Sequence, residues 1–320
     1  MPNLTRRSLL KAGTSLAALM GLGPSAASAL AQGLKQMAAG HAPVLWLQGQ
    51  SCSGCSISLL NTERPGPLEL LTGGTLSLKF HSTLSAATGH VAVDVVDTWI
   101  KAGGFILVAE GSIPAGMPEG CMFGGKPVGE QMLAAARKAQ AVITVGTCAS
   151  YGGIPGSAGN PTGAVSVVKF LHEQKVEAKI IRIPGCPAHP DWVVGTLAHV
   201  LTFGPPALDE DGRPQAFFGK MMHDNCPRRG DYERDHFAQY FGEDGCMYEL
   251  GCSGPTTRAD CAWRLWNGGT NSCIHAASPC IGCAWEGFAA DPDVPMYGVS
   301  AQQKKRDAPP PSPLPLRRVM

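Results

Sequence analysis

Four cysteines of this chain stand just behind short runs of Val, Ile and Leu, and that placement constrains the fold more than any other feature. Cys52 and Cys55 follow the run at 43–49, Cys148 follows 141–146 and Cys186 follows 179–185. Two further runs, at 76–80 and 105–111, complete a set of five. Apolar runs of this length between turn residues read as strands buried on both faces. Helical patterns at 53–62, 89–101, 128–138, 163–174 and 190–203 lie between and after them. The alternation predicts an α/β fold, a doubly wound parallel sheet with right-handed crossovers. In such a sheet, binding sites form outside the carboxyl ends of the strands. Four thiols from three strand ends therefore meet in one crevice, where Gly54, Gly146 and Gly185 let backbone approach closely.

Four sulfurs around one point suit zinc or an iron–sulfur cluster. Zinc sites usually use two close pairs. One pair plus two isolated cysteines, each on its own loop, fits a [4Fe–4S] cube better. The competing reading is four inert thiols packed as small hydrophobes.

The α/β alternation stops near Asp211. The stretch 213–300 is rich in Gly, Pro, Trp and Cys and predicts a small irregular domain organised by metal instead of by a large core. It carries two groups. His223, Cys226, Cys246 and Cys252 form one; Cys261, Cys273, Cys280 and Cys283 form the other. In isolation the His/Cys3 set suits zinc as well as iron–sulfur. Three metal sites in one chain, with no obvious substrate pocket, read as a relay for electrons.

The charge is uneven. The net value is +1 over 320 residues, yet Arg6, Arg7 and Lys11 at one end and Lys304, Lys305, Arg306, Arg317 and Arg318 at the other leave the body acidic. An acidic body argues against nucleic acid as a partner. The start, Thr5-Arg6-Arg7-Ser8-Leu9-Leu10-Lys11, precedes an apolar stretch at 16–23 and the small-residue sites Ala27-Ser28-Ala29 and Ala29-Leu30-Ala31. Residues 1–31 resemble a twin-arginine export signal, cleaved after Ala29 or Ala31. Proteins with such signals cross the membrane folded, often with cofactors loaded. Twelve cysteines then need no disulfides, because clusters assemble in the reducing cytoplasm; a disulfide-rich exported protein is the rival. A periplasmic location follows. No later stretch has the 18 apolar residues of a membrane span. The basic, proline-rich tail at 301–320 reads as a poorly ordered extension.

The motifs Cys52-Ser53-Gly54-Cys55, Glu110-Gly111-Ser112-Ile113-Pro114, Gly146-Thr147-Cys148-Ala149, Pro184-Gly185-Cys186-Pro187, His223-Asp224-Asn225-Cys226-Pro227-Arg228, Leu250-Gly251-Cys252-Ser253-Gly254-Pro255 and Pro279-Cys280-Ile281-Gly282-Cys283 follow one another in this order. Together, from about Ala42 to Tyr297, they resemble the small subunit of nickel–iron hydrogenases. The resemblance implies a flavodoxin-like domain, 40–212, followed by a small irregular iron–sulfur cluster domain, 213–300. It implies that Cys52, Cys55, Cys148 and Cys186 bind a proximal [4Fe–4S] cluster. His223, Cys226, Cys246 and Cys252 would bind a distal [4Fe–4S] cluster, and Cys261, Cys280 and Cys283 a medial one. No catalytic residue lies in this chain. The nickel–iron large subunit splits H2 reversibly into two protons and two electrons, and the small subunit relays electrons to or from an external acceptor such as a cytochrome. The implied assembly is a heterodimer, or a dimer of heterodimers. With imidazole in place of a thiolate, the distal site should have a raised potential.

Four departures qualify the resemblance. Many members have Pro at the position of Cys273 and a medial [3Fe–4S] cluster. A fourth thiol here predicts a medial [4Fe–4S] cluster on Cys261, Cys273, Cys280 and Cys283, with [3Fe–4S] and a free Cys273 as the alternative. Oxygen-tolerant members carry two extra proximal cysteines; one position is Gly54 here and Cys121 sits out of register with the other. This predicts an ordinary proximal cubane and a spare thiol at Cys121. Ser51 stands where relatives often have Glu, which puts a proton route there in doubt. Membrane-anchored relatives end in a transmembrane helix, where this chain has its basic tail; the expectation is a periplasmic protein that is either soluble or membrane-associated through a separate partner protein. Two rivals remain: an electron-transfer module of another oxidoreductase, such as a quinone-reducing complex, whose members lack the 223–283 region, and a hydrogen sensor, which the export signal disfavours.

Overall fold

The computed structural model describes residues 43–63, 66–72 and 77–289, with isolated positions between 10 and 31. Arg6, Arg7, Ala29 and the tail at 301–320 lie outside the described residues. Five strands form one parallel sheet: β1 (Pro43–Gln48), β2 (Ser77–His81), β3 (Ile106–Glu110), β4 (Ala141–Val145) and β5 (Ile180–Ile183). Their order is β2-β1-β3-β4-β5. This is the flavodoxin-like order, whose switch point lies between β1 and β3.

Side chains alternate along the strands into two cores. Val44, Trp46, Ile106, Val108, Ile143 and Val145 enter one; Leu45, Leu47, Leu107, Ala109 and Val142 enter the other. Helices α1 (Gly54–Leu60), α2 (Gly89–Ala102), α3 (Val128–Ala136), α4 (Thr147–Tyr151), α5 (Val167–Glu173) and α6 (Pro190–Phe203) cover both faces. Leu59 of α1 and Trp192, Val193 and Leu197 of α6 close the first core, and Val96, Met132 and Leu171 close the second. Because both faces are covered, every residue of β3 and β4 is buried.

The five expected strands are present with shifts of one or two residues at their ends. The helix expected over 163–174 starts later, because Ala164–Val165 pairs antiparallel with Ile113–Pro114. Ser166 then caps α5, its hydroxyl accepting from the Lys169 amide at 3.0 Å. A helix at Pro67–Thr72 and the short α4 were not anticipated.

Beyond α6 the chain forms only short helical turns, among them α7 (Cys261–Arg264). Met222, Ala262, Ile274 and Cys280 make a very small core there. Anchorage to the sheet supplies the rest. Phe217, Phe218, Ala259 and Ala284 are buried in the same core as Trp192. The Trp192 indole donates to Asp260 Oδ1 at 2.7 Å, and Arg264 pairs with the same carboxylate at 2.6 Å. Arg264 is almost wholly buried, so this ion pair is satisfied by hydrogen bonds on both partners. Among the described residues no helix is long and apolar enough to cross a membrane.

Candidate metal centre

The first set assembles at the carboxyl end of the sheet. β1 leads into Cys52, and Ser53 turns the chain in the left-handed region (φ 59) so that Cys55 falls in the first turn of α1. Gly146 links the end of β4 to α4, where Cys148 lies; Cys186 follows β5. A Cβ on Gly146 would sit 2.6 Å from Cys55 Sγ, and one on Gly153 2.8 Å from Cys148 Sγ, so bare backbone is what admits the thiols. Burial pushes the Cys148 thiol up to about 12, with the charges of Cys186 and Cys52 adding to it. Burial, then Cys52, raises Cys186; burial, then Glu110, with smaller contributions from Cys148 and Cys186, raises Cys55 well above its ordinary value. These mutual influences make the four thiols neighbours. Two amides point at their sulfurs: Gly54 donates to Cys52 Sγ at 3.4 Å and Ala188 to Cys55 Sγ at 3.5 Å.

The second set, His223, Cys226, Cys246 and Cys252, lines one cavity with Met247 and Tyr248. The His223 ring packs edge-on against Tyr232 at 4.7 Å. Burial raises Cys226, and the charges of Cys252 and Cys246 contribute. The third set, Cys261, Cys273, Cys280 and Cys283, lines a second, apolar cavity. Burial pushes Cys283 up to about 12, with Cys280, Cys186 and Cys273 adding, and Cys280 to about 11, with Cys252 and Cys273 adding. Cys273 therefore sits in that cavity beside Cys280 and Cys283, not pointing away from it.

The sets are consecutive in space. Cys186 of the first also lines the cavity of the third beside Cys283, and the Thr147 hydroxyl, next to Cys148, donates to the Cys283 carbonyl. Cys280 of the third donates its amide to Cys252 Sγ of the second at 3.3 Å. The line runs first, third, second. Cys121 stands apart: it packs against the core that holds Val128 and Met132, and burial is the one cause raising its thiol.

Glu110 belongs to a sequence motif but had no role assigned to it. It is buried at the end of β3, between the first set and β1. Trp46 Nε1, Gln48 Nε2 and Ser51 Oγ each donate to it at 3.0 Å, and Ser56 Oγ donates at 2.5 Å. His81 completes the cluster. Its Nδ1 accepts from the Thr83 and Leu84 amides, so Nε2 carries the hydrogen and donates to Ser56 Oγ at 3.0 Å. Burial lowers His81 to about 4. An acidic residue closing an otherwise apolar strand was the signal for Glu110; His81 gave none.

Among the described residues, no three His, Cys, Asp or Glu side chains converge tightly enough to hold a single metal ion. The second and third quartets instead each line a cavity, which suits a multi-iron cluster whose width keeps its ligands apart. Thiols raised by burial and by one another need nearby positive charge to ionise, and iron supplies it. The donor sets thus fit iron–sulfur clusters.

A family model for the C-terminal part of the NiFe/NiFeSe hydrogenase small subunit matches residues 218–295, and one for the NADH ubiquinone oxidoreductase 20 Kd subunit matches 52–200. The periplasmic NiFeSe hydrogenase small subunit of Desulfomicrobium baculatum is 41% identical over 322 residues, covering 92% of this chain and 99% of the relative. The uptake hydrogenase small subunit of Azotobacter vinelandii is 37% identical, covering 89% of this chain and 80% of the relative. Among solved structures, the reduced, active form of the Ni-Fe-Se hydrogenase from Desulfomicrobium baculatum superposes with a TM-score of 0.75 at 43% identity, over 80% of this chain and 98% of that one. By sequence along nearly its whole length, and by fold, the chain belongs to the small subunits of the NiFe/NiFeSe hydrogenases.

Proposed function

We propose that this chain is the electron-transfer subunit of a nickel–iron hydrogenase, acting with a large subunit that activates H2, and that its three quartets hold three iron–sulfur clusters. Cys52, Cys55, Cys148 and Cys186 hold the proximal [4Fe–4S] cluster; Cys261, Cys273, Cys280 and Cys283 the medial; His223, Cys226, Cys246 and Cys252 the distal [4Fe–4S] cluster. The observation that carries the reading is the line of quartets, the first joined to the third by the cavity that Cys186 shares with Cys283, and the third to the second by the Cys280 amide donating to Cys252 Sγ. When bound, the clusters supply one-electron carriers between the partner's centre and an external acceptor.

The chain's own groups tune that relay. Amides of Gly54, Ala188 and Cys280 donate to sulfurs, which favours the more negative, reduced state. His223 contributes a neutral donor at the quartet whose cavity is lined by the exposed Tyr248, where electrons leave or enter. The position of Cys273 beside Cys280 and Cys283 supports a four-iron medial cluster. The twin-arginine reading of the N-terminus, together with relatives named as periplasmic and uptake hydrogenases, supports export to the periplasm.

The deciding experiment is anaerobic affinity purification from the native host with an assay of H2-dependent viologen reduction. A nickel-containing partner and H2 oxidation are expected. An iron-loaded, partnered preparation without H2 activity would overturn the reading.

A further inference from the structure

Thr147 lies between the first and third quartets. Its side chain is buried, one residue before Cys148 and 136 residues from Cys283 in sequence. The hydroxyl donates to the Cys283 carbonyl and accepts from the Gly185 amide at 2.9 Å. The Thr147 amide returns a hydrogen bond to the Gly185 carbonyl, also at 2.9 Å. A threonine hydroxyl has one hydrogen to give and lone pairs to accept. This one spends both on partners belonging to different quartets, since Gly185 carries Cys186 and Cys283 is itself a member of the third.

We propose that Thr147 is a positioning residue that fixes the gap between the proximal and medial quartets and thereby the rate of electron transfer across it. The inference rests on the relay reading above. Electron tunnelling falls off exponentially with distance, so a small displacement of one loop against the other is felt as a change of rate. Without the hydroxyl, the Gly185 amide and the Cys283 carbonyl each lose a buried partner. The two loops must then shift to satisfy them, and Cys186 and Cys283, which line one cavity, shift with them. A threonine kept only to start α4 would have no such effect, because its backbone alone serves the helix.

The test uses the complete heterodimer with Thr147→Val, which keeps shape and removes the hydroxyl, and Thr147→Ser, which keeps the hydroxyl. Four quantities are read: iron content, the spin–spin splitting between reduced clusters by EPR, H2/D2O isotope exchange, and H2-dependent viologen reduction. Isotope exchange needs only the partner's centre. The valine complex is expected to keep full iron and exchange, to show an altered splitting, and to reduce dye several-fold more slowly; serine restores splitting and rate. Unaltered splitting and dye reduction in the valine complex would overturn the proposal, as would a serine complex that fails in the same way. If the valine chain does not load its iron, Thr147→Ala, which removes the hydroxyl without placing a methyl there, takes its place, and a normal splitting then overturns the proposal. An unsubstituted complex that exchanges isotope but reduces no dye would show that the relay reading itself has failed, and this one with it.

Discussion

The amide of Cys280 donates to the sulfur of Cys252 at 3.3 Å, so a residue of one quartet is hydrogen-bonded directly to a residue of the next. The peptide that positions Cys280 Sγ in its own cavity therefore also stabilises charge on Cys252. In the proposed relay this bond would couple the potentials of the medial and distal clusters through the backbone as well as through space.

Eleven of the twelve cysteines fall into the three quartets, and Cys121 stands outside them. Thiol labelling of the anaerobic native complex, counted on this chain after its separation from the large subunit, is expected to find one slowly reacting thiol. After unfolding with an iron chelator it should find all twelve without added reductant. A requirement for reductant would reveal disulfides and sink the cluster assignment.

Cys273 should decide the medial cluster type. Oxidised protein is expected to show no full-intensity [3Fe–4S] EPR signal, and Cys273→Pro should create one while raising the medial potential. A full signal in the unsubstituted protein would mean that Cys273 is a bystander.

Glu110 takes hydrogen bonds from Trp46, Gln48, Ser51 and Ser56 in a buried site. Glu110→Ala leaves several donors unpaired and should cost about 3–5 kcal/mol. Thermal unfolding of the heterodimer checks this, with Glu110→Gln, which keeps the shape and one acceptor, expected to fall between the unsubstituted protein and the alanine variant.

His81 is buried and neutral, lowered to about 4 from an ordinary 6.5. In the unfolded chain it binds a proton near pH 6.5, which the folded chain resists. Its contribution is therefore whole above pH 6.5 and is lost as pH falls toward 4. The full difference is roughly 3 kcal/mol. His81→Gln should flatten the dependence of the melting temperature on pH between 6.5 and 4; an unchanged slope would show that His81 is not its source.

Much of the sheet was legible because β1, β3 and β4 are buried on both faces, so polar residues in them are few, such as Gln48 and Glu110 at strand ends. The first quartet was legible for a related reason: Cys52, Cys148 and Cys186 stand at strand ends, and strand ends of a parallel sheet share one edge. The two C-terminal groups were legible from the order and spacing of their cysteines, but which cluster each would hold needed the family resemblance, and Cys273 departs from that family's pattern. The Thr147–Cys283 tie and the His81–Ser56–Glu110 chain were invisible. Each joins residues far apart in sequence through single polar atoms, and local pattern carries no trace of such contacts.

The small core of Met222, Ala262, Ile274 and Cys280 has a consequence for the protein without its metal. One of its four members is itself a proposed ligand, so a chain starved of metal lacks the internal scaffold to hold this half together. Metal removal is therefore expected to loosen this region ahead of the sheet, with limited proteolysis cutting first beyond α6.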